Sequence, residues 1–217
     1  MRKLIQGIME FRRQRRSDYA ETFAQLALGQ HPDVLFIACS DSRVAVNVFA
    51  STDPGDMFVV RNVGNLIPPC DESGRSLADE SEASAIEFAL MQLEVGHIIV
   101  CGHSDCGAMK ALVAGRSLLR PPNLREWLRH AEPALAAAKG TGGVVDLNAV
   151  SQQNVITQLE HIRTYPAVRD RLAKDAVTLH GLWFDIRHAD VYYYEPDRRT
   201  FVQIDDEEGK RILSRLK

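Results

Sequence analysis

Two short apolar runs, each ending abruptly in polar side chains, most constrain the fold of this chain. The first run, Val34–Cys39, has no polar member, which is typical of a strand buried on both faces of a parallel sheet. The second run, residues 98–101, follows a segment, residues 81–95, whose apolar side chains recur at helical spacing. A strand, a helix and a second strand in this order predict a parallel crossover unit, and therefore an α/β fold.

The remaining apolar segments extend this prediction. Residues 57–61 are expected to form a further strand. Residues 176–186 and 191–204 are expected to form a strand and its antiparallel partner, joined by a turn at residues 187–190. The glycine-rich stretch at residues 140–143 is interpreted as a flexible connection between helices. The fold class that follows is a mainly parallel central sheet flanked by helices, with an antiparallel C-terminal strand.

The N-terminal segment is predicted to be a helical arm. Residues 3–28 carry apolar side chains at helical spacing on both sides of a basic cluster. An amphipathic helix ahead of the first strand needs an apolar surface to lie on, and in an α/β protein a neighbouring subunit can supply it. We therefore expect residues 1–217 to form one domain in which residues 1–29 pack on a partner subunit.

Composition excludes several classes of function. The net charge of −3 argues against general nucleic-acid binding, which favours a basic surface. No run approaches the roughly 18 apolar residues of a membrane helix. The apolar stretch at the N-terminus is too short to be the core of a signal peptide. Four cysteines in 217 residues do not form a disulfide scaffold. The expectation is a protein of the reducing cytoplasm that binds neither nucleic acid nor membrane.

Chemically reactive side chains follow both apolar runs. Cys39, Asp41 and Arg43 alternate after the first run, and while the chain stays extended they point to one side. His103 and Cys106 follow the second run with the spacing H-x-x-C. If the two strands are parallel neighbours, these side chains meet at the carboxyl ends, where open α/β sheets build their sites.

Two thiolates and one imidazole favour Zn²⁺ over Mg²⁺ or Ca²⁺. Three protein ligands leave the fourth tetrahedral position open to water, as in catalytic zinc sites. Asp41 either binds the metal and closes the site, or accepts a hydrogen bond from metal-bound hydroxide, and pairing with Arg43 favours the second role. The spacing alone also fits buried inert thiols and a structural Asp41–Arg43 ion pair.

Three motifs together resemble the β-class carbonic anhydrases. They are Cys-Ser-Asp-Ser-Arg at residues 39–43, Arg-Asn-Val-Gly-Asn at residues 61–65 and Gly-His-Ser-Asp-Cys-Gly at residues 102–107. The resemblance implies one Zn²⁺ per chain held by Cys39, His103 and Cys106, with Asp41 and Arg43 as a catalytic dyad. It implies reversible hydration of CO₂ to bicarbonate and a proton by zinc-bound hydroxide.

The resemblance also assigns substrate-binding positions, and it favours the plant-like branch of the family. In that branch a glutamine nine residues before the first zinc cysteine orients the substrate. The bicarbonate-regulated branch instead carries a tryptophan and a tyrosine where this chain has Phe36 and Phe184, which cannot donate a hydrogen bond. The positions implied to contact substrate are Gln30, the apolar wall of Phe58, Val63 and Phe88, and the amide of Gly107.

Oligomeric state and alternative functions complete the sequence-based expectations. The resemblance implies that Gln30 comes from one subunit and that Phe58 and Phe88 come from another. This arrangement requires a homodimer or a higher oligomer of dimers. One alternative is a non-catalytic zinc protein that serves assembly or senses CO₂ or bicarbonate, which the Asp41–Arg43 pair disfavours. Another is a hydrolase that acts on carbonyl sulfide or carbon disulfide with the same ligands.

Overall fold

A six-stranded sheet organises the molecule, which we describe from a computed structural model that places residues 1–139 and 145–216. The strands lie in the order β2-β1-β3-β4-β5-β6. The first four are parallel, and β5 and β6 are antiparallel additions at one edge. Their bounds are β1 Val34–Cys39, β2 Met57–Asn62, β3 His97–His103, β4 Thr178–Asp185, β5 Asp190–Glu195 and β6 Thr200–Gln203. The predicted fold class is confirmed.

The strand register sets where the chain delivers its reactive side chains. Cys39, the last residue of β1, pairs with Asn62, the last residue of β2. On the other side of β1, Ala38 pairs with Cys101, so β3 extends two residues further before it ends at His103. Because all three strands are parallel, these ends lie at one edge of the sheet.

Helices pack on both faces of the sheet. α4 begins with an Asp79 side chain that accepts a hydrogen bond from the Ser81 amide. α8 packs across β3 and β4. The α-helices are α1 Arg2–Glu10, α2 Arg16–Leu26, α3 Val46–Phe49, α4 Glu80–Met91, α5 Gly107–Gly115, α6 Pro122–Trp127, α7 Glu132–Ala138, α8 Leu147–Ile162, α9 Pro166–Leu172 and α10 Asp206–Leu213. Within the described ranges, none of them is long and apolar enough to cross a bilayer.

The side chains of β1 point alternately to the two faces of the sheet, and each face has its own part of the core. Leu35 and Ile37 pack with α4, α8 and α9 on one face, while Phe36 and Ala38 pack with Phe184 on the other. A third cluster lies at the carboxyl edge and contains side chains of α5 together with two of the candidate ligands. Cys101, expected to be a packed thiol, is fully buried, and this burial raises its pKa to about 12.

Several boundaries differ from the sequence-based expectations. The segment 191–204 is not one strand but two, because residues 196–199 form a turn with Arg199 in the left-handed region at φ +51°. A C-terminal helix, α10, follows them and was not expected. The helical arm is interrupted by a π-helical turn at Phe11–Arg15, which lies at the basic cluster. The predicted flexible connection at residues 140–143 lies outside the described residues.

Candidate metal centre

Three side chains converge at the carboxyl edge of the sheet. Cys39 ends β1, His103 ends β3, and Cys106 is the N-cap of α5, directly after Asp105, whose backbone is in the left-handed region. The two sulfur atoms and one imidazole nitrogen lie within 4.8 Å of one another. All three residues are buried, with His103 fully enclosed. The expected convergence of these distant segments is confirmed.

The imidazole of His103 is oriented for a ligand at Nε2. Its Nδ1 lies 2.9 Å from the carbonyl oxygen of Ser104, an acceptor, so Nδ1 carries the proton and Nε2 presents a lone pair. The Ser151 hydroxyl holds the His103 carbonyl at 2.7 Å. Among the described residues, Nε2 has no hydrogen-bond partner although it is buried. A buried acceptor left unpaired beside two thiols fits a soft metal ion, and the carbonyl contact is the usual support for a histidine ligand.

The two thiols lie in an environment that stabilises a thiolate. The hydrogen bond from the Cys106 thiol is the largest cause that lowers the pKa of Cys39, to about 4, against the opposing effect of burial. His103 and the Gly64 amide, which lies 3.4 Å from Cys39 Sγ, act in the same direction. The same hydrogen bond between the two thiol groups, together with burial, raises the pKa of Cys106. The surroundings thus favour the thiolate form of Cys39, and a bound cation would favour the thiolate form of both cysteines.

Asp41 and Arg43 form a bidentate pair beside the three ligands. Arg43 Nη2 donates to Asp41 Oδ2 at 2.7 Å, and its Nε donates to Oδ1 at 2.9 Å. This pairing is the main cause that lowers the pKa of Asp41 far below its ordinary range. A second contact, from Arg43 Nη1 to Asp105 Oδ2 at 3.1 Å, fixes the guanidinium from the other side.

The chain reaches this pair by a turn rather than by continuing as a strand. The Val44 amide donates to the Asp41 carbonyl at 3.0 Å, and the Arg43 amide donates to Asp41 Oδ1 at 3.0 Å. The expectation that Cys39, Asp41 and Arg43 alternate along an extended chain is therefore wrong, since β1 ends at Cys39. The turn nevertheless leaves Asp41 Oδ2 4.0 Å from His103 Nε2.

Arg61 of β2, the strand next to β1, supports the main chain at Cys39 and Asp41. Arg61 donates from Nε to the Cys39 carbonyl at 2.7 Å and from Nη2 to the Asp41 carbonyl at 3.0 Å. Both contacts are to main-chain atoms, so Arg61 supports the backbone of the site. Asn62 closes the following loop, because its side chain exchanges two hydrogen bonds of 2.8 Å with the main chain of Leu66.

The candidate substrate-binding residues divide into two groups. Gly107 begins α5 directly after Cys106, and Val63 precedes the Gly64 amide that contacts Cys39, so both lie at the centre. Phe58 lies four residues before the end of β2, about 13 Å down the strand. Phe88, 44% exposed, packs on Phe58 with ring centroids 5.8 Å apart. Gln30 lies exposed in the segment before β1.

Within one chain, then, the structure does not bring Gln30, Phe58 and Phe88 to the three ligands. Sequence reasoning also missed residues that hold the ligands in place, namely Ser104, Ser151, Asn154 and Trp127. Each acts through a main-chain carbonyl. Only Ser104 lies in a motif, so the other three had no local signal.

The fold and this group of side chains define an α/β protein with a candidate metal centre at the carboxyl edge of a parallel sheet. A family profile described as carbonic anhydrase matches residues 34–191, most of the chain. The chain belongs to the carbonic anhydrase family, in its β class. It is 39% identical to the carbonic anhydrase of Synechocystis over 93% of this chain and 74% of that one. It is 38% identical to that of Pseudomonas aeruginosa, over 94% and 92% of the two chains.

Solved structures give the same result. The structure of the β-carbonic anhydrase CcaA superposes with a TM-score of 0.87 at 39% identity, covering 95% of this chain and 92% of that chain. A tetrameric β-carbonic anhydrase from Sordaria macrospora superposes with a TM-score of 0.71 at 28% identity, covering 88% of this chain and 95% of that one. A carbon disulfide hydrolase has a TM-score of 0.51 at 13% identity over 88% and 90% of the chains, a likeness that shows the fold alone.

Proposed function

We propose that this protein catalyses the reversible hydration of CO₂ to bicarbonate and a proton, with one Zn²⁺ per chain bound by Cys39, His103 and Cys106. The observation that carries the proposal is the adjacency of two features. A buried set of two thiols and one unpaired imidazole nitrogen lies beside a carboxylate that a bidentate arginine holds. A purely structural zinc site has a fourth protein ligand and does not need such a pair.

The donor set fits zinc, and it sets what the surrounding residues must do. Zinc, when bound, supplies the Lewis acidity that lowers the pKa of a water molecule from about 16 to about 7 in the three-histidine carbonic anhydrases. Two thiolates cancel the formal charge of the ion, so this site begins from a weaker Lewis acid. Asp41 adds a further negative charge nearby, and Arg43 offsets it.

The dyad orients the attacking oxygen. Asp41 Oδ2 faces the His103 side of the site and accepts a hydrogen bond from the nucleophile, which directs its lone pair toward CO₂. Arg43 occupies both carboxylate oxygens and keeps Asp41 from moving onto the metal as a fourth ligand, which is the closed state that the sequence left as the less favoured alternative. The Gly107 amide, at the N-terminus of α5, stabilises charge that develops on the substrate oxygens.

A second chain completes the pocket in this proposal. Gln30 from one subunit and the Phe58–Phe88 pair from another supply the substrate contact and the apolar wall that a single chain does not bring to the ligands, while Val63 belongs to the site itself. The unit is a homodimer or a larger assembly of dimers, each chain being one domain of residues 1–217. We place it in the cytoplasm and in the plant-like branch.

Stopped-flow CO₂ hydration with a pH indicator, combined with metal analysis, tests the proposal. We expect one zinc per chain and a hydration rate that a chelator abolishes and added Zn²⁺ restores. If the protein binds zinc but does not accelerate CO₂ hydration, the role as a sensor or assembly protein would replace the proposed one. Hydrolysis of carbonyl sulfide or carbon disulfide without CO₂ hydration would identify the alternative substrate class.

A further inference from the structure

One peptide unit links the indole of Trp127 to the sulfur of Cys39. The indole Nε1 donates to the carbonyl oxygen of Val63 at 2.7 Å. The amide of the same peptide unit, that of Gly64, donates to Cys39 Sγ at 3.4 Å. This carbonyl and this amide are the two ends of one planar peptide group. The indole and the Cys39 sulfur are therefore joined by two consecutive hydrogen bonds.

The backbone around this peptide is fixed on every side. Gly64 has a φ of +85°, and a Cβ there would lie 3.0 Å from the Ala108 side chain, so glycine lets the amide approach the sulfur. The next carbonyl, that of Gly64, accepts a hydrogen bond from Asn154 Nδ2 at 3.0 Å. Trp127 and Asn154 thus hold the peptides before and after Gly64, and the direction of its amide follows from both.

Trp127 is itself placed rigidly. It is the last residue of α6, and it packs on the apolar cluster that contains Cys39 and Cys106. Its ring meets His130 edge to face, with centroids 5.9 Å apart. The sequence favours a packing role for Trp127, but packing alone would not require the only polar atom of its side chain to bind the carbonyl beside a candidate ligand.

The electronic effect of this link has a defined sign. An amide that donates to a thiolate withdraws negative charge from the sulfur, and hydrogen bonds at both ends of one peptide strengthen each other by roughly 10–30% per bond. A less electron-rich sulfur donates less charge to a bound cation, which leaves a stronger Lewis acid. This withdrawal of charge from a ligand matters more in a site with two thiolates than in a site of neutral histidines.

We propose that Trp127 is a positioning residue for the metal centre. Its indole N–H aligns and polarises the Val63–Gly64 peptide, which in turn draws negative charge from the Cys39 thiolate. The inference rests on the proposed metal site. It adds a residue 88 positions from Cys39 that tunes the site without touching metal or substrate.

The test uses the full-length protein with Co²⁺ in place of zinc. Trp127→Phe keeps the aromatic ring and removes the donor, and Trp127→Leu removes it with a smaller side chain. We expect the thiolate-to-cobalt charge-transfer band of both variants to move to longer wavelength, because the sulfur becomes more electron-rich. In the zinc forms, the midpoint of the pH profile of kcat should rise, and kcat/KM at pH 7 should fall about tenfold.

Tyr165→Phe is the matched control. Its hydroxyl also donates to a main-chain carbonyl at 2.7 Å, that of Pro68, in the same loop but away from the sulfur. This variant should lose thermal stability as Trp127→Phe does and keep the wild-type band and pH midpoint. An unmoved band in the tryptophan variants, or an equal shift in the control, would overturn the inference. A wild-type protein without a thiolate–cobalt band would instead overturn the metal site, and the inference with it.

Discussion

Asp41 Oδ2 lies 4.0 Å from His103 Nε2, the buried imidazole nitrogen that has no partner among the described residues. The carboxylate is thus close enough to touch whatever His103 binds, yet both of its oxygens are occupied by Arg43. A carboxylate that bound the metal as a fourth ligand would affect both reactivity and metal affinity, whereas this arrangement assigns the two properties to different side chains. In the proposed mechanism Asp41 contributes to reactivity, and metal affinity depends on Cys39, His103 and Cys106.

Asp41→Asn should therefore keep the metal and lose turnover. An amide cannot hold the arginine and accept from the nucleophile as a carboxylate does, and we expect kcat to fall about 100-fold or more. Metal content and stopped-flow hydration measured on one preparation check this. The control is Glu132→Gln, which breaks another arginine–carboxylate contact, of 2.7 Å to Arg116, away from the site. Full activity in Asp41→Asn would refute the role given to the dyad.

Cys106→Ser should abolish metal binding. A hydroxyl is a poor ligand for a soft-to-borderline ion, and Cys106 supplies one of only three donors, so zinc should fall from about one per chain to below about 0.1. Cys101→Ala is the control, because this thiol of β3 is as buried as that of Cys106 but packs among apolar side chains. Elemental analysis after dialysis decides the outcome. Stoichiometric zinc in Cys106→Ser would show that another residue completes the site.

The ligands were predictable because they are tied to secondary structure. Cys39 and His103 each end an apolar strand, and parallel strands must place their ends at one edge. The helix α10 was missed although a signal exists. Asp205 caps it by accepting from the amides of Glu207 and Glu208, and acidic residues fill its first turn. The strand predicted over residues 191–204 ends just before this signal, and no helix was predicted after it.

The supporting contacts could not be read from the sequence. Trp127 reaches Val63 and Asn154 reaches Gly64 across 64 and 90 positions, and both bind main-chain carbonyls. A carbonyl is present at every residue, so no residue type marks such a contact. The turn at Asp41 was misjudged for a related reason, since alternation describes a strand only as far as the strand continues.

Acid should destabilise the fold through His180 before carboxylates titrate. This side chain is buried between His97 and Tyr193, with 3.2 Å contacts to each. Burial, then a charge on His97, lowers its pKa from 6.5 to about 4. Between pH 6.5 and 4 the unfolded chain binds a proton that the folded chain does not, so the free energy of unfolding falls as pH falls. The contribution is at most on the order of 3 kcal/mol.

Urea unfolding at several pH values tests this effect by comparison of variants. His180→Gln should flatten the decline in stability between pH 6.5 and 4. Tyr193→Phe removes one contact of His180 and leaves the titrating ring, so its decline should parallel that of the wild type. Equal slopes for wild type and His180→Gln would show that His180 does not carry the effect.

Bicarbonate should inhibit without cooperativity at low pH. Phe36 and Phe184, the positions where the regulated branch has hydrogen-bond donors, are buried around Phe49, whose ring stacks on Phe184 at 4.6 Å. A bicarbonate ion placed there would lose its hydration without gaining a donor from these rings. The dependence of the rate on bicarbonate concentration at low pH should be hyperbolic. A sigmoidal curve would place the protein in the regulated branch instead.

Disrupting the N-terminal arm should dissociate the oligomer. On α1 the side chains of Leu4, Ile5 and Ile8 are 47–60% exposed, and no residue of this helix is buried. They lie on one face, because positions three and four apart are neighbours on a helix. Ile8→Asp places a charge in the centre of that face, so an interface that buries it would lose apolar contact and desolvate a carboxylate.

Light scattering after size-exclusion chromatography should show a smaller assembly for Ile8→Asp than for the wild type. Gln6→Asp adds the same charge about 200° around the helix from Leu4, on the polar side, and should keep the wild-type mass. Because Gln30 and the Phe58–Phe88 pair come from different chains in the proposed site, hydration activity should fall with the mass. An unchanged mass in Ile8→Asp would mean that the arm does not hold the subunits together, and that the pocket is completed through another surface.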